Sequence, residues 1–345
     1  FPCSIIASAR SEEPSINSSD TEIRSNLLGV DRQQGKIYNL PYGLHFDELH
    51  TLLEFPRGSE VRLLNQGKPV SPRVLNVGST IRVIAQDGVT TQDYTIANAP
   101  ISVAKPTSAS AEISAPLSIG IIDIPAMTAA HANDGIVTQH VDSMEEINIW
   151  NAMGKGPHWW KVDLGAEYYI DKLEVIWPQH LEQLIPGPMA YSVEVAGDFE
   201  QTFDNFSETY REVLSRRDND DTGTTIDKLG VEARFLRIRL HETNTFTDAP
   251  VVGRYPVYGA EEIFVNGGLL RSESLAIDYV SKTIDKANLE TVADAMKSLK
   301  PTTGGQLQFV DKTGRLLEAD NDIPEELQVI AIDKSGQLRE RYYLR

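Results

Sequence analysis

Cysteine is almost absent from the sequence, since Cys3 is the only one in 345 residues. An intrachain disulfide is therefore excluded, and no second thiol is available for a zinc or redox motif. Long apolar runs are missing as well: no stretch of about 18 apolar residues could cross a bilayer as a helix. The first residues have neither the basic nor the apolar stretch of an export signal, so we expect that any such signal is already removed or lies outside this chain.

Positive charge is also scarce. Lys and Arg number 32 against 50 Asp and Glu, which gives a formal net charge of −18. A chain this acidic repels nucleic acid and anionic membranes, because phosphate binding needs a basic surface. We therefore expect no nucleic-acid partner and no membrane insertion. Hydrophobic residues make up 41% and charged residues 24%, an ordinary globular composition that at this length allows two or three domains.

The two ends of the chain resemble each other in the order and spacing of their motifs. In each, a short helical pattern precedes strand-like segments that end at Asp-Gly or Ser-Gly turns. The sequence Val-Ile-Ala-x-Asp recurs at Val83 and Val329. This pattern predicts a duplicated α+β module, in which one helix packs against a small antiparallel sheet. We place its two copies at residues 25–97 and 272–345.

Neither copy contains a cluster of His, Cys or acidic residues, so the apolar stripe of each helix is interpreted as core rather than as a ligand site. The copies resemble the small repeated accessory domains that flank catalytic and binding domains in large secreted bacterial polysaccharide-degrading enzymes. That resemblance implies a role in spacing and presentation. The stripes consist of Phe46, Leu49 and Leu53 in the first copy and of Val292, Ala295, Met296 and Leu299 in the second.

Two further segments have the composition of connecting chain. Residues 1–24 are polar and rich in turn-forming residues, and are predicted to be a tail or linker. Residues 98–117 are rich in Ala, Ser and Pro, and are predicted to be a linker with room for the first edge strand of the next domain.

Residues 118–268 contain one strand pattern after another, separated by long loops. Within Phe235–Leu240 apolar residues alternate with arginines, which indicates one buried and one wet face. About 150 residues of this kind predict a β-sandwich or jelly roll. The fold class expected for the chain is therefore mainly β, with a central jelly roll between two α+β modules. The clearest strands are Trp160–Leu164, Ile170–Trp177, Tyr191–Val195, Phe235–Leu240 and Glu262–Val265.

A set of motifs in this middle region resembles the discoidin family, also called the coagulation-factor C-type family, which includes many carbohydrate-binding modules. The resemblance implies an eight-stranded jelly roll without catalytic machinery. His140 stands where that family usually has tryptophan, which leaves the ligand preference open. The motifs, in chain order, are Asp134-Gly135 with Thr138, the run His158–Gly165, the strand Tyr169–Trp177, the strand Tyr191–Val195, the segment Ala233–Ile238 and the closing strand Glu262–Gly267.

The same resemblance implies a structural Ca²⁺ beside the ligand-binding loops. Its ligands would be Asp134, Glu262, Thr138 and the carbonyl oxygen of Ala132. Calcium takes roughly six to eight oxygen ligands, which a loop facing a carboxylate of the last strand can supply. Without the resemblance, Asp134 is a turn residue before Gly135 and Glu262 a solvated acid.

Aromatic, His and Arg residues in loop-like segments are the candidate ligand contacts, because sugars stack on aromatic rings and hydrogen-bond to polar side chains. The alternative for each aromatic residue is ordinary partial burial. Either Trp159 or Trp160 must point into the sandwich, since adjacent strand residues face opposite sides. The candidates are Trp150, His158, His180, Arg254 and Tyr255.

The sequence contains none of the common catalytic motifs, so we expect no enzyme within this chain. The predicted function is that of a non-catalytic carbohydrate-binding region of a secreted or surface-attached bacterial protein, which targets a covalently linked enzyme or a cell surface to a polysaccharide or oligosaccharide. Two alternatives remain open. One is a protein-interaction or structural spacer module, and the other is a lyase or hydrolase that uses Tyr255, His180 and Arg254.

Overall fold

The regular structure of this protein is almost entirely β, as a computed structural model of the chain shows. Within the described residues, two 3-10 helices and one short α-helix, α1 (Val292–Ser298), accompany the strands. None of these helices is long and apolar enough to cross a membrane. The structure describes residues 18–71, 73–119, 122–138, 146–178, 189–197, 210–217, 219, 223–243, 246–249, 253–286 and 289–345.

The first six strands form one sheet, which we call the first flanking sheet. Its strands run in the order β1-β2-β6-β5-β3-β4, and β2 and β6 are parallel. The helix predicted around Phe46 is a 3-10 helix, Phe46–Thr51, and its Leu49 is buried. The strands are β1 (Gly29–Asp31), β2 (Lys36–Tyr38), β3 (Glu60–Asn65), β4 (Lys68–Pro69), β5 (Thr80–Ile84) and β6 (Thr91–Ala97).

The middle of the chain forms a main sheet, a small sheet and a separate hairpin. The main sheet has the order β13-β12-β14-β11-β17, with β7 also paired to β11; the small sheet has the order β10-β16-β15; β8 and β9 pair with each other. Buried residues of both sheets belong to one core cluster. The strands are β7 (Thr107–Ala109), β8 (Leu117–Ile119), β9 (Ile122–Ile124), β10 (Trp150–Met153), β11 (His158–Ile176), β12 (Met189–Ala196), β13 (Arg211–Arg216), β14 (Thr224–Thr243), β15 (Phe246–Ala249), β16 (Gly253–Ala260) and β17 (Glu262–Gly268).

Strand β11 joins two segments that the sequence presents as separate strands. Its register against β14 shifts between Asp163 and Tyr168, where Gly165 has a φ of +84°. A Cβ on Gly165 would lie 2.7 Å from the backbone oxygen of Asn26. Glycine is therefore required here both for its backbone angle and for the close approach of the N-terminal segment.

The outer face of the main sheet is less exposed than the alternation in Phe235–Leu240 predicts. The apolar residues on the inner face are buried, as expected, but Arg237 on the other face is only 7% exposed. The ring of Tyr210 lies 3.9 Å from its guanidinium carbon, and Glu194 accepts a hydrogen bond from its Nε at 2.5 Å. An aromatic ring and a carboxylate thus cover an arginine that was expected to face water.

The remaining strands follow directly after β17. β19, β20, β24, β23 and β22 form a second flanking sheet in that order, with β20 and β24 parallel, and β18 pairs with β21. The helix α1 begins with a capping box at Thr291 and buries Val292 and Ala295. The strands are β18 (Leu270–Ser272), β19 (Ile277–Asp278), β20 (Thr283–Ile284), β21 (Leu299–Pro301), β22 (Gln306–Val310), β23 (Gln328–Ile332) and β24 (Arg339–Leu344).

The two flanking sheets share a strand order: β1-β2-β6-β5-β3 in the first corresponds to β19-β20-β24-β23-β22 in the second. The recurring Val-Ile-Ala-x-Asp sequence does not occupy equivalent positions, however. Ile81 pairs with Tyr94, and Val329 pairs with Tyr342. Val329 therefore corresponds to Ile81, and Val83 lies two positions further along its strand.

The segment predicted as a linker, residues 98–117, differs from that prediction. Ile101, Ser102 and Val103 are 2%, 0% and 3% exposed, as linker residues would not be. Strand β7, which pairs with β11 in the main sheet, is consistent with the edge strand for which the prediction left room. The predicted tail, residues 1–24, also differs from its prediction where the structure describes it, since Ile23 is buried, with 3% exposure. In both segments a few apolar residues lie among small and polar ones, so average composition hides the side chains that pack.

Candidate functional site

Two adjacent glutamates at the start of β17 lie at one end of the main sheet. Glu261 and Glu262 are both 0% exposed. The loop after the 3-10 helix Ala129–Ala132 packs against them: the Gly135 N–H donates to Glu262 Oε2 at 3.1 Å, and the Thr138 N–H donates to Glu261 Oε1. The structure thus brings the predicted ligands of the loop and of the last strand together.

Asp134 lies in the same cluster, and its carboxylate is held by two neighbours. The Ile136 N–H donates to Oδ1 at 2.8 Å, and Asn148 Nδ2 lies 3.1 and 3.0 Å from the two carboxylate oxygens. Gln34, in the turn between β1 and β2, donates from Nε2 to the Asp134 backbone oxygen at 3.1 Å. The first flanking sheet therefore contacts this loop directly.

Glu262 has one buried oxygen without a partner. No described residue hydrogen-bonds to its Oε1. Burial, with the negative charge of Asp134 as the next cause, raises the pKa of Glu262 to about 9. Burial also raises the pKa of Asp134. A buried carboxylate with an unpartnered oxygen, repelled by a half-buried carboxylate beside it, favours a bound proton or a bound cation.

The chemistry of these donors fits the calcium ion that the discoidin resemblance implies. Carboxylate, hydroxyl and carbonyl oxygens are the ligands that Ca²⁺ prefers. Among the described residues no three His, Cys, Asp or Glu side chains converge as a metal cluster, so a cation here would depend on Asp134 and Glu262 together with oxygens of Thr138 and Ala132. The unpartnered Glu262 Oε1 is the observation that supports the fit.

The structure does not support Trp150 as a ring that stacks on a sugar. Trp150 begins β10 and is fully buried, and its Nε1–H donates to the Ala111 backbone oxygen at 3.0 Å. The segment Ile147–Asn151, expected to be a loop, leads into a strand of the small sheet instead. Trp150 is a core residue, so the prediction of a ligand contact is wrong here.

His158 is likewise not an exposed loop residue. It begins β11 and is 8% exposed. Its Nδ1 lies 3.1 Å from Ser110 Oγ, and its ring centroid is 4.9 Å from that of Tyr258. Burial lowers the pKa of His158. A neutral imidazole wedged between a serine and a tyrosine of the small sheet is a packing residue, so this predicted contact is also corrected.

For two of the other three predicted contacts the structure describes only the backbone, and the third lies outside the described residues. His180 lies outside the described residues. Arg254 and Tyr255 lie in β16 opposite Asp248 and Thr247, and only their backbone is described. Whether these three converge, as the lyase alternative requires, therefore remains a hypothesis.

The described chain next to His180 lies beside the acidic cluster. Glu261 N–H donates to the Ile176 backbone oxygen at 2.9 Å, and Pro178 follows two residues later. Thr138 lies at the same cluster, because its N–H donates to Glu261. Ile176 and Thr138 are thus both hydrogen-bonded to the glutamates at the start of β17.

Trp159, a half-buried aromatic residue at the surface of the main sheet, was not among the predicted contacts. Trp160 is the fully buried member of the Trp159-Trp160 pair, and its Nε1–H donates to the Ala129 backbone oxygen at 2.9 Å. Trp159 is half-buried on the outer face, with Lys161 Nζ 5.7 Å from its ring centroid and Arg239 opposite it on β14. The strand alternation identified this pair, but not which member was exposed.

Comparison with known proteins places the central region in a family. Residues 131–238 match the profile of coagulation-factor type C domains described as a NedA-like, galactose-binding domain. No curated protein sequence matches the chain.

Several solved structures are similar to about half of this chain. Chitosan-binding module 1 of a chitosanase/glucanase from Paenibacillus sp. IK-5 is 17% identical, with 49% of this chain and 99% of that chain covered and a TM-score of 0.33. A Streptococcus pneumoniae fucose-binding module is 15% identical, with 48% and 96% covered and a TM-score of 0.34. The family 32 carbohydrate-binding module of Clostridium perfringens NanJ, in complex with galactose, is 13% identical, with 46% and 91% covered and a TM-score of 0.30.

The profile match lies within the middle region of the chain, between the two flanking sheets. The central region of this chain therefore contains a coagulation-factor type C, or discoidin-like, domain.

Proposed function

We propose that the central domain binds carbohydrate and catalyses no reaction. The observation that carries this proposal is the match of residues 131–238 to a domain profile described as galactose-binding. The ligand would bind at the loops that begin beside Asp134, Glu261 and Glu262, because loops at one end of a sandwich supply its adaptable surface. His180, Arg254 and Tyr255 remain the candidate contacts from sequence.

A structural calcium ion is part of this proposal. Bound between Asp134 and Glu262, it would neutralise the buried carboxylate of Glu262 together with the half-buried carboxylate of Asp134. The ion would thereby hold the Ala132–Thr138 loop against β17. Its role is to position the loops, and no chemical step is assigned to it.

The context of the central domain within the whole protein is also a proposal. We infer that the two flanking sheets are copies of one module, since they share five strands in the same order and one parallel pair. They would present the central domain within a secreted or surface-attached protein. Linkage to a catalytic domain would raise the concentration of that domain at its polysaccharide.

Affinity electrophoresis against soluble galactose-, glucosamine- and fucose-containing polysaccharides tests the proposal, run once with calcium and once with EDTA. We expect one glycan class to retard the protein, and EDTA to reduce the retardation. The variant Glu262→Gln should lose the calcium effect. Glu318→Gln, at an exposed position in the connection between β22 and β23, removes the same charge and should behave like the wild type.

Two outcomes would count against the proposal. If the folded protein is not retarded by any glycan, the spacer or partner-binding alternative takes its place. If retardation is strong but identical in EDTA and in Glu262→Gln, carbohydrate binding stands and the calcium part fails.

A further inference from the structure

A cleft lies between the two flanking sheets, away from the acidic cluster. The Tyr42 N–H donates to the Arg339 backbone oxygen at 2.8 Å, which joins the two sheets at its edge. The cleft has a volume of about 350 Å³, and a smaller recess of about 190 Å³ shares Pro41, Tyr42 and Arg339 with it. The larger volume lies within the range of about 300–1,000 Å³ that is typical of small-molecule sites.

The cleft is positively charged, although the chain as a whole carries −18. Arg339 and Arg341 both line it, and neither has a described carboxylate within ion-pair distance. The other two charged residues cancel each other, because Lys282 Nζ lies 2.7 Å from Glu340 Oε1. Two arginine charges therefore face the cleft without compensation.

The carboxylate of Glu340 is fully engaged and does not turn toward these arginines. Its Oε2 accepts hydrogen bonds from the Leu269 N–H at 2.8 Å and from the Tyr342 hydroxyl at 2.6 Å. The other acid nearby, Glu48, lies in the smaller recess and accepts from the His45 N–H at 3.0 Å. An anion would therefore meet the arginines in the larger part of the cleft.

Arg341 is held in place by two aromatic rings. Its guanidinium carbon lies 4.2 Å from the ring centroid of Tyr42, in the first flanking sheet, and 4.9 Å from that of Tyr343, in the second. Stacking on tyrosine orients the guanidinium and leaves its N–H groups at the edge, where a carboxylate can bind in bidentate fashion. The arginine is thus positioned before any ligand arrives.

The rest of the lining suits a sugar ring. Asn76 and Asn98 are exposed amides, which can hydrogen-bond to hydroxyl groups. Val77 is 62% exposed at the cleft, and the half-buried rings of Tyr42 and Tyr343 add further apolar surface. A polar and apolar lining around oriented arginines matches a ligand with C–H faces, hydroxyl groups and a carboxylate.

We propose that this cleft is a second ligand site, which binds an acidic oligosaccharide by its carboxylate groups. Arg341 and Arg339 would bind the carboxylates, Asn76 and Asn98 the hydroxyl groups, and Val77 the apolar side of a sugar ring. The site is independent of calcium, because none of its residues belongs to the acidic cluster. It requires both flanking regions of the chain, since residues 39–98 contribute nine of the fifteen lining residues and residues 281–343 contribute the other six.

Isothermal titration of the full chain with trigalacturonate, in EDTA and at low salt, tests the proposal. We expect binding that weakens as salt is added, and at least tenfold weaker binding by Arg341→Gln. Arg315→Gln is the matched control, because Arg315 is an exposed arginine outside the cleft, in the connection between β22 and β23. Val77→Glu adds a negative charge at an exposed position, and should also weaken binding without disturbing the fold.

Three outcomes would overturn the proposal. The methyl ester of trigalacturonate could bind as tightly as the acid, which would remove the role of the carboxylate. Arg341→Gln and Val77→Glu could both bind like Arg315→Gln, which would place the ligand elsewhere. A polyglutamate peptide could bind where trigalacturonate does not, which would make the partner an acidic peptide. All of these titrations are run in EDTA, where the proposed calcium-dependent central site does not contribute. A negative result for the cleft can therefore be distinguished from a negative result for the central site.

Discussion

Two buried glutamates in this protein meet the cost of burial in opposite ways. Glu340, in the second flanking sheet, has its countercharge in the chain: Lys282 lies 2.7 Å away, and the two side chains are 10% and 9% exposed. Glu262, at the end of the main sheet, has Asp134 as its charged neighbour and an oxygen without a described partner. A buried carboxylate that is paired with a lysine of the same chain is neutralised within the fold. One without such a partner depends on a proton or a cation from solution.

A buried lysine extends the comparison to the opposite charge. Lys105 Nζ donates to the backbone oxygens of Leu27 and, at 2.8 Å, Leu164. No described carboxylate lies within ion-pair distance of it. Burial lowers the pKa of Lys105 to about 7. Two carbonyl dipoles and the more distant charge of Asp163 therefore stabilise this ammonium less than a carboxylate in direct contact would.

The largest expected effect comes from breaking the buried ion pair between Lys282 and Glu340. Glu340→Gln should lower the free energy of unfolding by about 3–5 kcal/mol, because it leaves the Lys282 ammonium buried without a countercharge. Urea unfolding measures this loss. Glu167→Gln is the matched control: it breaks a 2.7 Å pair with Lys334, whose side chain is 45% exposed, and should cost about 0–1 kcal/mol. Equal losses in the two variants would mean that burial does not distinguish these pairs.

Calcium should stabilise the wild type but not Glu262→Gln. At a concentration about 100 times its Kd, a bound ion adds about 2.7 kcal/mol to the free energy of unfolding. In EDTA, Glu262→Gln should be at least as stable as the wild type, because it removes a buried carboxylate that lacks a cation. Thermal unfolding with and without calcium checks both statements. A calcium response in Glu262→Gln equal to that of the wild type would contradict them.

The stability of the wild type should rise with pH above about 7, through Lys105. The lowered pKa means that the unfolded chain keeps this proton up to its ordinary value of 10.5 while the folded chain has lost it. Stability is therefore gained as pH rises through this window and lost as pH falls toward 7. Between pH 7.5 and 8.5 the gain should be about 1 kcal/mol, and Lys105→Met should remove it. Lys300→Met, at an exposed position, should retain the wild-type slope.

The smallest effect is expected where the first flanking sheet contacts the acidic cluster. Gln34→Ala removes the 3.1 Å hydrogen bond to the Asp134 backbone oxygen, which contributes about 1 kcal/mol. We expect a similar loss with and without calcium, because the bond does not involve the carboxylates. Calcium titrations of thermal stability check this, and a loss seen only with calcium would show that the contact shapes the cation site.

Sequence patterns predicted those parts of the molecule in which neighbours along the chain decide the structure. Alternation located β12, β14 and β17, whereas the duplication of the flanking modules stays a prediction. Alternation also predicted that one member of Trp159-Trp160 is buried, but the choice depended on which face of β11 meets the core. Trp150 was misplaced because a short strand between loops, Trp150–Met153, has too few residues to show a period.

The candidate sites depend on contacts between residues that are distant in sequence, which local patterns cannot predict. Asp134 and Glu262 were connected only through a family resemblance, since no local pattern relates residues so far apart. Nothing in the sequence indicated that Tyr42 and Tyr343 enclose Arg341, because that arrangement depends on how two separate sheets lie against each other. The pairing of Lys282 with Glu340 was missed for the same reason: both sit in ordinary strand and turn sequences.

The parallel pairs β2–β6 and β20–β24 also affect the order in which the protein can fold. In the second flanking sheet, Thr283 of β20 pairs with Tyr343 of β24, so an early strand and the last strand meet across 60 residues of chain. Strands this distant in sequence pair slowly, and during synthesis β20 cannot pair until β24 has left the ribosome. The N-terminal sheet closes with Ala97, long before its counterpart. The cleft between them is therefore among the last features of the molecule to form.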